Sequence, residues 1–489
     1  MREINKIDSL LVMSECSIRD ALLVINENQL GLCFVVESER LVGVLSDGDI
    51  RRYLLEFGKL EDRVIHAMNK NYLALRVDAS DDVIRRAFSD GIKLIPLLNN
   101  TGSVVDVADV KKSHRIPVLE PELCGNELEY IVDCVKSNWI SSQGKYVIQF
   151  EEMFTNFHQV NNSIAVSNGT TALHLALIAL GIGPGDEVIV PNLTFAASAN
   201  AVIYCGATPV LCEIESKTWC IDVSEARKLI GPKTKAIMPV HLYGHPVNMD
   251  LLMDLAQEKK LLVIEDCAES LGTKWKGKLV GTFGNAATFS FFGNKTISTG
   301  EGGMIIFKDN QIAKNAKILR DHGMSRDKRY WHDVVGFNYR LTNLQSAIGV
   351  AQMERIDSIL ARKKSIAEMY SKELGNLYGI KNLPNSDENT DHSNWLFTII
   401  LDSMKLRDFL ISELIEYGIE SRPVFFPLDI MPPYLNLKSS MSLKNSHNIS
   451  NCGLSLPTSV TLTDDEIIYV SNTVKEILTK YYKLKGVGE

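Results

Sequence analysis

From Leu123 to the C-terminus the sequence predicts an α/β fold built on a mostly parallel sheet. Three observations carry that expectation. SIAVSN, EVIVPN, TPVLCEI, KAIMPVHLYG, LLVIEDCA, AATFSFF and GGMIIF are short apolar runs bounded by turn residues. Helical segments such as TTALHLALIAL and MDLLMDLAQEKK stand between several of them. The runs are apolar almost throughout rather than alternating, as in strands covered by helices on both faces. In open sheets of this kind ligands gather at the carboxyl ends of the strands. The residues that close each run are therefore where chemistry is expected.

Bulk composition narrows the classes. A chain of 489 residues exceeds one core and suits two to four structural units. Hydrophobic residues make up 45% and charged residues 23%, an ordinary globular mix. The net charge of −8 is spread along the chain, which argues against a nucleic-acid partner but leaves room for a local basic pocket. No apolar run approaches the roughly 18 residues that span a bilayer. MREINKIDSL places charges where a signal peptide needs an apolar core, so the expectation is a cytoplasmic chain with no membrane partner. The nine cysteines form no CxxC pair, and neither a disulfide framework nor a metal site is expected. Cys267 reads as a small buried residue at a strand end.

The first part of the chain carries a weak internal repeat. SIRDALLVI followed by LCFVVESERLVGVLSDGDIRR reads as helix, strand, turn, strand, helix, and DDVIRRAF followed by KLIPLLNNTGSVVDVADV reads much the same way. KKSHRIPVLEP then suits a linker. The expected division is a paired module at 1–113, a linker at 114–122, a large domain at 123–360 and a small C-terminal domain at 361–489. The motif GVLSDGDIRR resembles the CBS-domain family, so the N-terminal part resembles a tandem CBS pair, or Bateman module. That resemblance implies a nucleotide site in which Asp49 takes the ribose hydroxyls and Ser46 lies near the phosphates. A carboxylate can accept both hydrogen bonds of a diol. The second copy departs from the pattern, with Asp109 where the hydroxyl is expected and Lys112 where the acid is expected. A dimerising module without ligand is the alternative reading.

Four strand ends stand out in the large domain. In SNGTTALHLAL a turn leads into a helix, and an anion would fit over Gly169, Thr170 and Thr171, although the same residues also make a plain helix cap. In PNLTFAASANAV, Phe195 follows a strand end and can stack on a planar ring or simply fill the core. In VIEDCAES, Asp266 closes an apolar strand and needs a charged partner, either a protonated ring nitrogen or an ion pair. Glu269 follows one short turn later and has the same two readings. In FSFFGNKTISTGEGGM, Lys295 sits in an aromatic and glycine-rich loop, where burial beside a cation would make its amine nucleophilic; a solvated loop lysine is the bland reading. Ser290, five positions earlier, can offer its hydroxyl to the same anion as Thr170.

Together with WISSQGKYVIQFE, FGNKTISTGEGG, GFNYRLTNLQSAIG and SRPVFFPL, these motifs resemble the DegT/DnrJ/EryC1/StrS sugar aminotransferases from Pro121 onward. The resemblance implies a fold-type-I, aspartate-aminotransferase-like fold with a small α+β C-terminal domain, and pyridoxal 5'-phosphate as cofactor. It implies Lys295 as the Schiff-base lysine, Asp266 as partner of the pyridinium nitrogen and Phe195 as the stacking residue. Gly169, Thr170, Thr171 and Ser290 would hold the phosphate, with Glu269 beside the ring. Asn338 would reach the phosphate of a neighbouring subunit, with a local turn residue as the alternative reading, implying a homodimer with shared sites and room for higher assembly through the N-terminal module. The implied reaction moves the amino group of glutamate to C4 of a nucleotide-linked 4-keto-6-deoxy sugar, with GDP-4-keto-6-deoxymannose first and UDP- or dTDP-linked sugars as alternatives. Implied sugar-nucleotide contacts are Trp139, Ser141, Ser142, Trp331, His332 and Arg422. A sugar dehydratase of the same fold carries His in place of the lysine, and a catalytically dead nucleotide sensor would not keep all four sites. Asp429 stands where many relatives carry His, and His447 has no assigned role.

Overall fold

The computed structural model describes residues 7–109 apart from 29, 57, 80–82, 85–86, 88–91 and 93, and residues 115–485 apart from 326, 376 and 384–387. The chain divides into two compact units. One is Met1–Arg115 with Glu416–Gly418, and the other is Ile116–Ile415 with Ile419–Glu489.

The first unit contains two three-stranded sheets of the same topology. In one, Leu11–Met13 pairs parallel to Leu32–Glu37, which pairs antiparallel to Arg40–Ser46. In the other, Leu75–Arg76 pairs parallel to Leu94–Leu98, which pairs antiparallel to Val104–Asp109. The repeat read from sequence is thus a repeat of backbone topology. Helices Ile18–Asn28 and Asp47–Leu55 flank the first sheet. Most of the helical segment read in DDVIRRAF, and Lys112, lie outside the described residues. Phe34 and Leu41 of the first sheet pack with Leu94 and Val104 of the second in one apolar cluster.

The second unit is organised by a seven-stranded sheet. From edge to edge its strands are Ile164–Val166, Gly303–Phe307, Ala286–Ser290, Leu262–Asp266, Thr234–Ile237, Glu187–Pro191 and Thr208–Cys212. These are the seven apolar runs of the sequence. Strand pairing is parallel from Ala286–Ser290 to the far edge. It turns antiparallel where Gly303–Phe307 meets both of its neighbours. The reason is local: no helix separates Ala286–Ser290 from Gly303–Phe307, so the chain returns through a loop alone. That loop carries Lys295.

Successive residues of the strands feed opposite faces, which accounts for their unbroken apolarity. Val188 and Val190 join one core with Ala236 and Ile264, while Ile189 joins another with Ile237 and Val263. Helix Gly169–Ala179 is buried from Ala172 through Leu177 and belongs to the first of these cores. A four-stranded antiparallel sheet follows in sequence, ordered Ile380–Asn382, Phe397–Leu401, Gly453–Leu456 and Arg422–Pro423. No helix among the described residues is long and apolar enough to cross a membrane.

Candidate active site

The carboxyl ends of the strands line a cavity of about 400 Å³, within the range of small-molecule sites. It brings together Gly169, Thr170, Phe195, Asp266, Glu269, Ser290, Lys295 and Arg422, which are separated by more than 250 positions in the chain.

At one end lies the start of helix Gly169–Ala179. Asn168 caps it, its side chain accepting from the Thr171 N–H at 2.9 Å. Thr171 closes the reciprocal half of the box: its hydroxyl accepts from the Asn168 N–H and donates to the Asn168 carbonyl at 2.8 Å. Both polar groups of Thr171 therefore serve the helix cap, and it does not line the cavity. Here the cap reading of Thr171 replaces the expected anion contact, while Gly169 and Thr170 do face the cavity. Gly169 has a steric role. A Cβ there would lie 2.8 Å from Cβ of Ser290, so only glycine lets the helix start lie against that strand end.

Asp266 also lines the cavity and is buried. Ser198 donates to its Oδ2 at 2.8 Å and the Ala268 N–H to its Oδ1 at 3.1 Å. Burial raises its pKa, and those two donors oppose the rise. Ser198, on helix Ala197–Tyr204, was not legible as a site residue; its only signal was a hydroxyl in a small-residue helix three positions after Phe195. Behind Asp266, Glu265 is spent on structure. It accepts from the N–H groups of Gly281, Phe283 and Gly284 and faces His241 Nε2 at 3.3 Å. His241 Nδ1 accepts from the Val247 N–H, which leaves the ring proton on Nε2 to be donated to Glu265. Cys267 completes this tight trio, buried as expected for a small strand-end residue.

Lys295 Nζ lies 3.8 Å from Glu269 Oε1, and the Tyr243 N–H donates to Glu269 Oε2 at 2.9 Å. Burial lowers the Lys295 pKa, opposed by Glu269 and Asp266. Burial pushes Glu269 up to about 7, opposed first by Lys295. The two shifts bring the charged and neutral forms of the pair closer in energy than in free side chains, which favours a nucleophilic lysine. The raised Glu269 value has a consequence for stability. Its folded pKa lies above the ordinary 4.5, so its stabilising contribution is complete below 4.5 and is lost as pH rises through about 7. The cofactor-free protein should lose melting temperature across that window, and Glu269→Gln should flatten the slope. An unaltered slope in the variant would assign the proton to another group.

An aromatic wall closes one side. Phe195 lies 5.8 Å from Phe425 between ring centroids, Phe425 stacks on Tyr243 at 5.4 Å, and Tyr243 stacks on Trp395 at 5.9 Å. Tyr243 holds a left-handed backbone with φ of 53°, an uncommon conformation for a tyrosine. Phe195 is itself 60% exposed, which favours the stacking reading over the core one. The loops that carry Phe195 and Phe425 are tied together by Asp429. Its Oδ1 accepts from Asn192 Nδ2 at 2.7 Å, its N–H donates to Asn192 Oδ1 at 3.0 Å, and His447 Nε2 meets its Oδ2 at 2.9 Å. The structure thereby gives His447 and Asp429 a shared place. Asp429→Ala should strand the buried Asn192 amide, cost about 1–3 kcal/mol and lower the melting temperature. A melt equal to wild type would show that the latch carries no load.

The remaining sequence candidates lie outside this cavity. Trp139 and Ser141 use their carbonyls to accept from Asn343, and Ser142 does not line the cavity. Trp331 is half exposed and donates to Asp333, while His332 bonds the His322 carbonyl at 2.8 Å. Asn338 is exposed, its side chain accepting from Arg340 at 3.2 Å. In the N-terminal unit Ser46 and Asp49 form a reciprocal capping box on helix Asp47–Leu55, and Arg52 pairs with Asp49 at 2.5 Å.

A helix start pressed against a strand-end hydroxyl, an exposed ring, a buried carboxylate and an amine of lowered pKa meet the needs of pyridoxal phosphate. They offer, in turn, places for the phosphate, the ring face, the ring nitrogen and the aldehyde. Fold and site define a fold-type-I pyridoxal-phosphate-dependent aminotransferase. A family model for the DegT/DnrJ/EryC1/StrS aminotransferases matches residues 121–475, and one for the CBS domain matches residues 2–56. The chain belongs to the DegT/DnrJ/EryC1/StrS aminotransferase family. It is 48% identical over 366 residues to the GDP-perosamine synthase of Caulobacter vibrioides, covering 74% of this chain and 98% of that protein. It is 44% identical to the enzyme of the same name from Escherichia coli O157:H7, again over 74% and 98%. Among solved structures it is similar to the sugar aminotransferase Spr1654 of Streptococcus pneumoniae in its PMP form. That match has a TM-score of 0.73 and 28% identity, over 76% of this chain and 100% of that one.

Proposed function

We propose that this enzyme transfers the amino group of glutamate to C4 of GDP-4-keto-6-deoxymannose, giving GDP-perosamine for a surface polysaccharide such as an O-antigen. The observation that carries this reading is the 44–48% identity to GDP-perosamine synthases over 98% of their length. The reaction would take place in the cytoplasm. Residues 123–360 would form the cofactor domain, and 361–489 the small domain.

When bound, pyridoxal phosphate supplies an aldehyde that carries the amino group and a ring that takes up the electron pair released at the substrate carbon. Lys295 would hold the aldehyde through its amine and would serve as the acid and base for the proton at the substrate carbon. Its partner Glu269, 3.8 Å away, keeps a proton within reach. Asp266 holds the proton on the ring nitrogen, and the Ser198 hydroxyl orients that carboxylate. Phe195 covers one ring face. Gly169, Thr170 and Ser290 hold the phosphate, with Thr171 fixing the helix cap from which they act. Arg422, on the cavity wall, receives the glutamate carboxylate or the sugar diphosphate through its planar fork. Trp139, Ser141, Ser142, Trp331 and His332 serve the sugar nucleotide from outside this cavity.

Exposed Asn338 acts across a homodimer, on the phosphate of the neighbouring subunit. Mixing Lys295→Ala and Asn338→Ala chains tests this. Hybrid dimers then contain one site with both residues intact, so activity returns on mixing; no return would place Asn338 in its own chain's site. The N-terminal module binds a regulatory nucleotide through Ser46 and Asp49, which must exchange their mutual bonds for the ligand, and it can extend assembly beyond the dimer. Titration of adenine and guanine nucleotides against the full chain, with no heat of binding, would leave the module a structural role. The substrate reading is tested with GDP-, UDP- and dTDP-linked 4-keto-6-deoxy sugars and glutamate, read by mass spectrometry. Amination of the GDP sugar alone is expected, and amination of only the UDP or dTDP series would overturn it.

A further inference from the structure

Trp395 precedes strand Phe397–Leu401 and is 3% exposed. Three of its groups are committed. Its indole Nε1 donates at 2.6 Å to the carbonyl of Asn294, the residue before Lys295. Its ring lies beneath the Lys295 amine, with Nζ 4.0 Å from the ring centroid. Its own carbonyl accepts from Lys363 Nζ at 3.0 Å. A cation over an indole face is attracted by the ring quadrupole, more strongly where water is excluded.

Lys363 is the unusual member. It lies on helix Ile356–Leu374, is 1% exposed, and also donates at 2.8 Å to the Thr458 carbonyl. Its hydrogen-bond partners are carbonyls, no carboxylate among the described residues forms an ion pair with it, and burial brings its pKa down to about 7. A buried amine without a counter-ion is costly, and here it joins the backbone beside Trp395 to the backbone after strand Gly453–Leu456. A small cavity of about 10 Å³, near the size that admits one water, is bordered by both Lys363 and Lys295.

We propose that Trp395 is a further catalytic residue and Lys363 its positioning residue: the indole face favours the positively charged form of the Lys295 nitrogen and fixes its direction, and Lys363 anchors the indole. This rests on Lys295 being the cofactor lysine. The test uses the full-length enzyme loaded with pyridoxal phosphate, whose absorbance is titrated against pH. Borohydride reduction followed by peptide mass spectrometry first establishes that wild type traps the cofactor at Lys295; trapping elsewhere overturns the lysine reading itself. With Lys295 trapped, Trp395→Leu is expected to move the midpoint to more acid pH by about half a pH unit or more. Trp395→Phe keeps a ring face and should stay closer to wild type. Lys363→Met should move the midpoint in the same direction as Trp395→Leu. An unmoved midpoint in Trp395→Leu, with trapping at Lys295 intact, overturns the role of the indole. A lowered melting temperature with an unmoved midpoint in Lys363→Met reduces Lys363 to a structural residue.

Discussion

Replacing Lys295 by Ala is expected to abolish the yellow colour of the purified enzyme and to lower the transamination rate at least about a thousandfold. Lys295 is the amine of the described cavity that stands beside a carboxylate capable of sharing its proton, and burial lowers its pKa. Alanine removes both the covalent anchor and the group that moves the proton, so the loss exceeds that of either role alone. Removing the ammonium also leaves Glu269 without the charge that most opposes its raised pKa. The Glu269 carboxyl of the variant should therefore titrate higher still. Colour retained in the variant together with borohydride trapping of the cofactor on another lysine would contradict the assignment.

Asp266→Asn is expected to lower the rate by between about a hundredfold and ten-thousandfold, while leaving the fold intact. The asparagine fits the same space and can keep an acceptor for Ser198 or for the Ala268 N–H. What it cannot supply is the negative charge that keeps the ring nitrogen protonated. The loss should therefore appear chiefly in kcat, with a melting temperature near that of wild type. A variant with near-normal kcat would mean that the ring nitrogen finds its proton elsewhere.

The sheet was almost wholly legible, because its seven apolar runs are a direct imprint of strands buried on both faces. The antiparallel return to Gly303–Phe307 was not part of the sequence expectation, which had only a loop between AATFSFF and GGMIIF. The strand-end residues Thr170, Phe195, Asp266, Ser290 and Lys295 stood in recognisable turns, and the fold draws them into one cavity.

Other features had no local signature. Lys363 sits in ARKKSIAEMY, which reads as a solvated helix face, and only the packing of segments around Trp395 and Thr458 buries it. Tyr243 and Trp395 are 152 positions apart and become neighbours through tertiary stacking. Thr171 had two readings in sequence, and the hydrogen-bond geometry assigns its hydroxyl to the cap. Asp429 looked like a departure from relatives, and its partners Asn192 and His447 explain what an acid does there.

A half-reaction isolates the chemistry assigned to Lys295. Cofactor-loaded enzyme is given glutamate with no sugar, and the 2-oxoglutarate released is counted against Lys295 sites. One equivalent per site and then a halt are expected; once free glutamate has been removed, added keto sugar should give one equivalent of amino sugar per site. Absence of 2-oxoglutarate from enzyme that holds its cofactor at Lys295 would contradict that assignment.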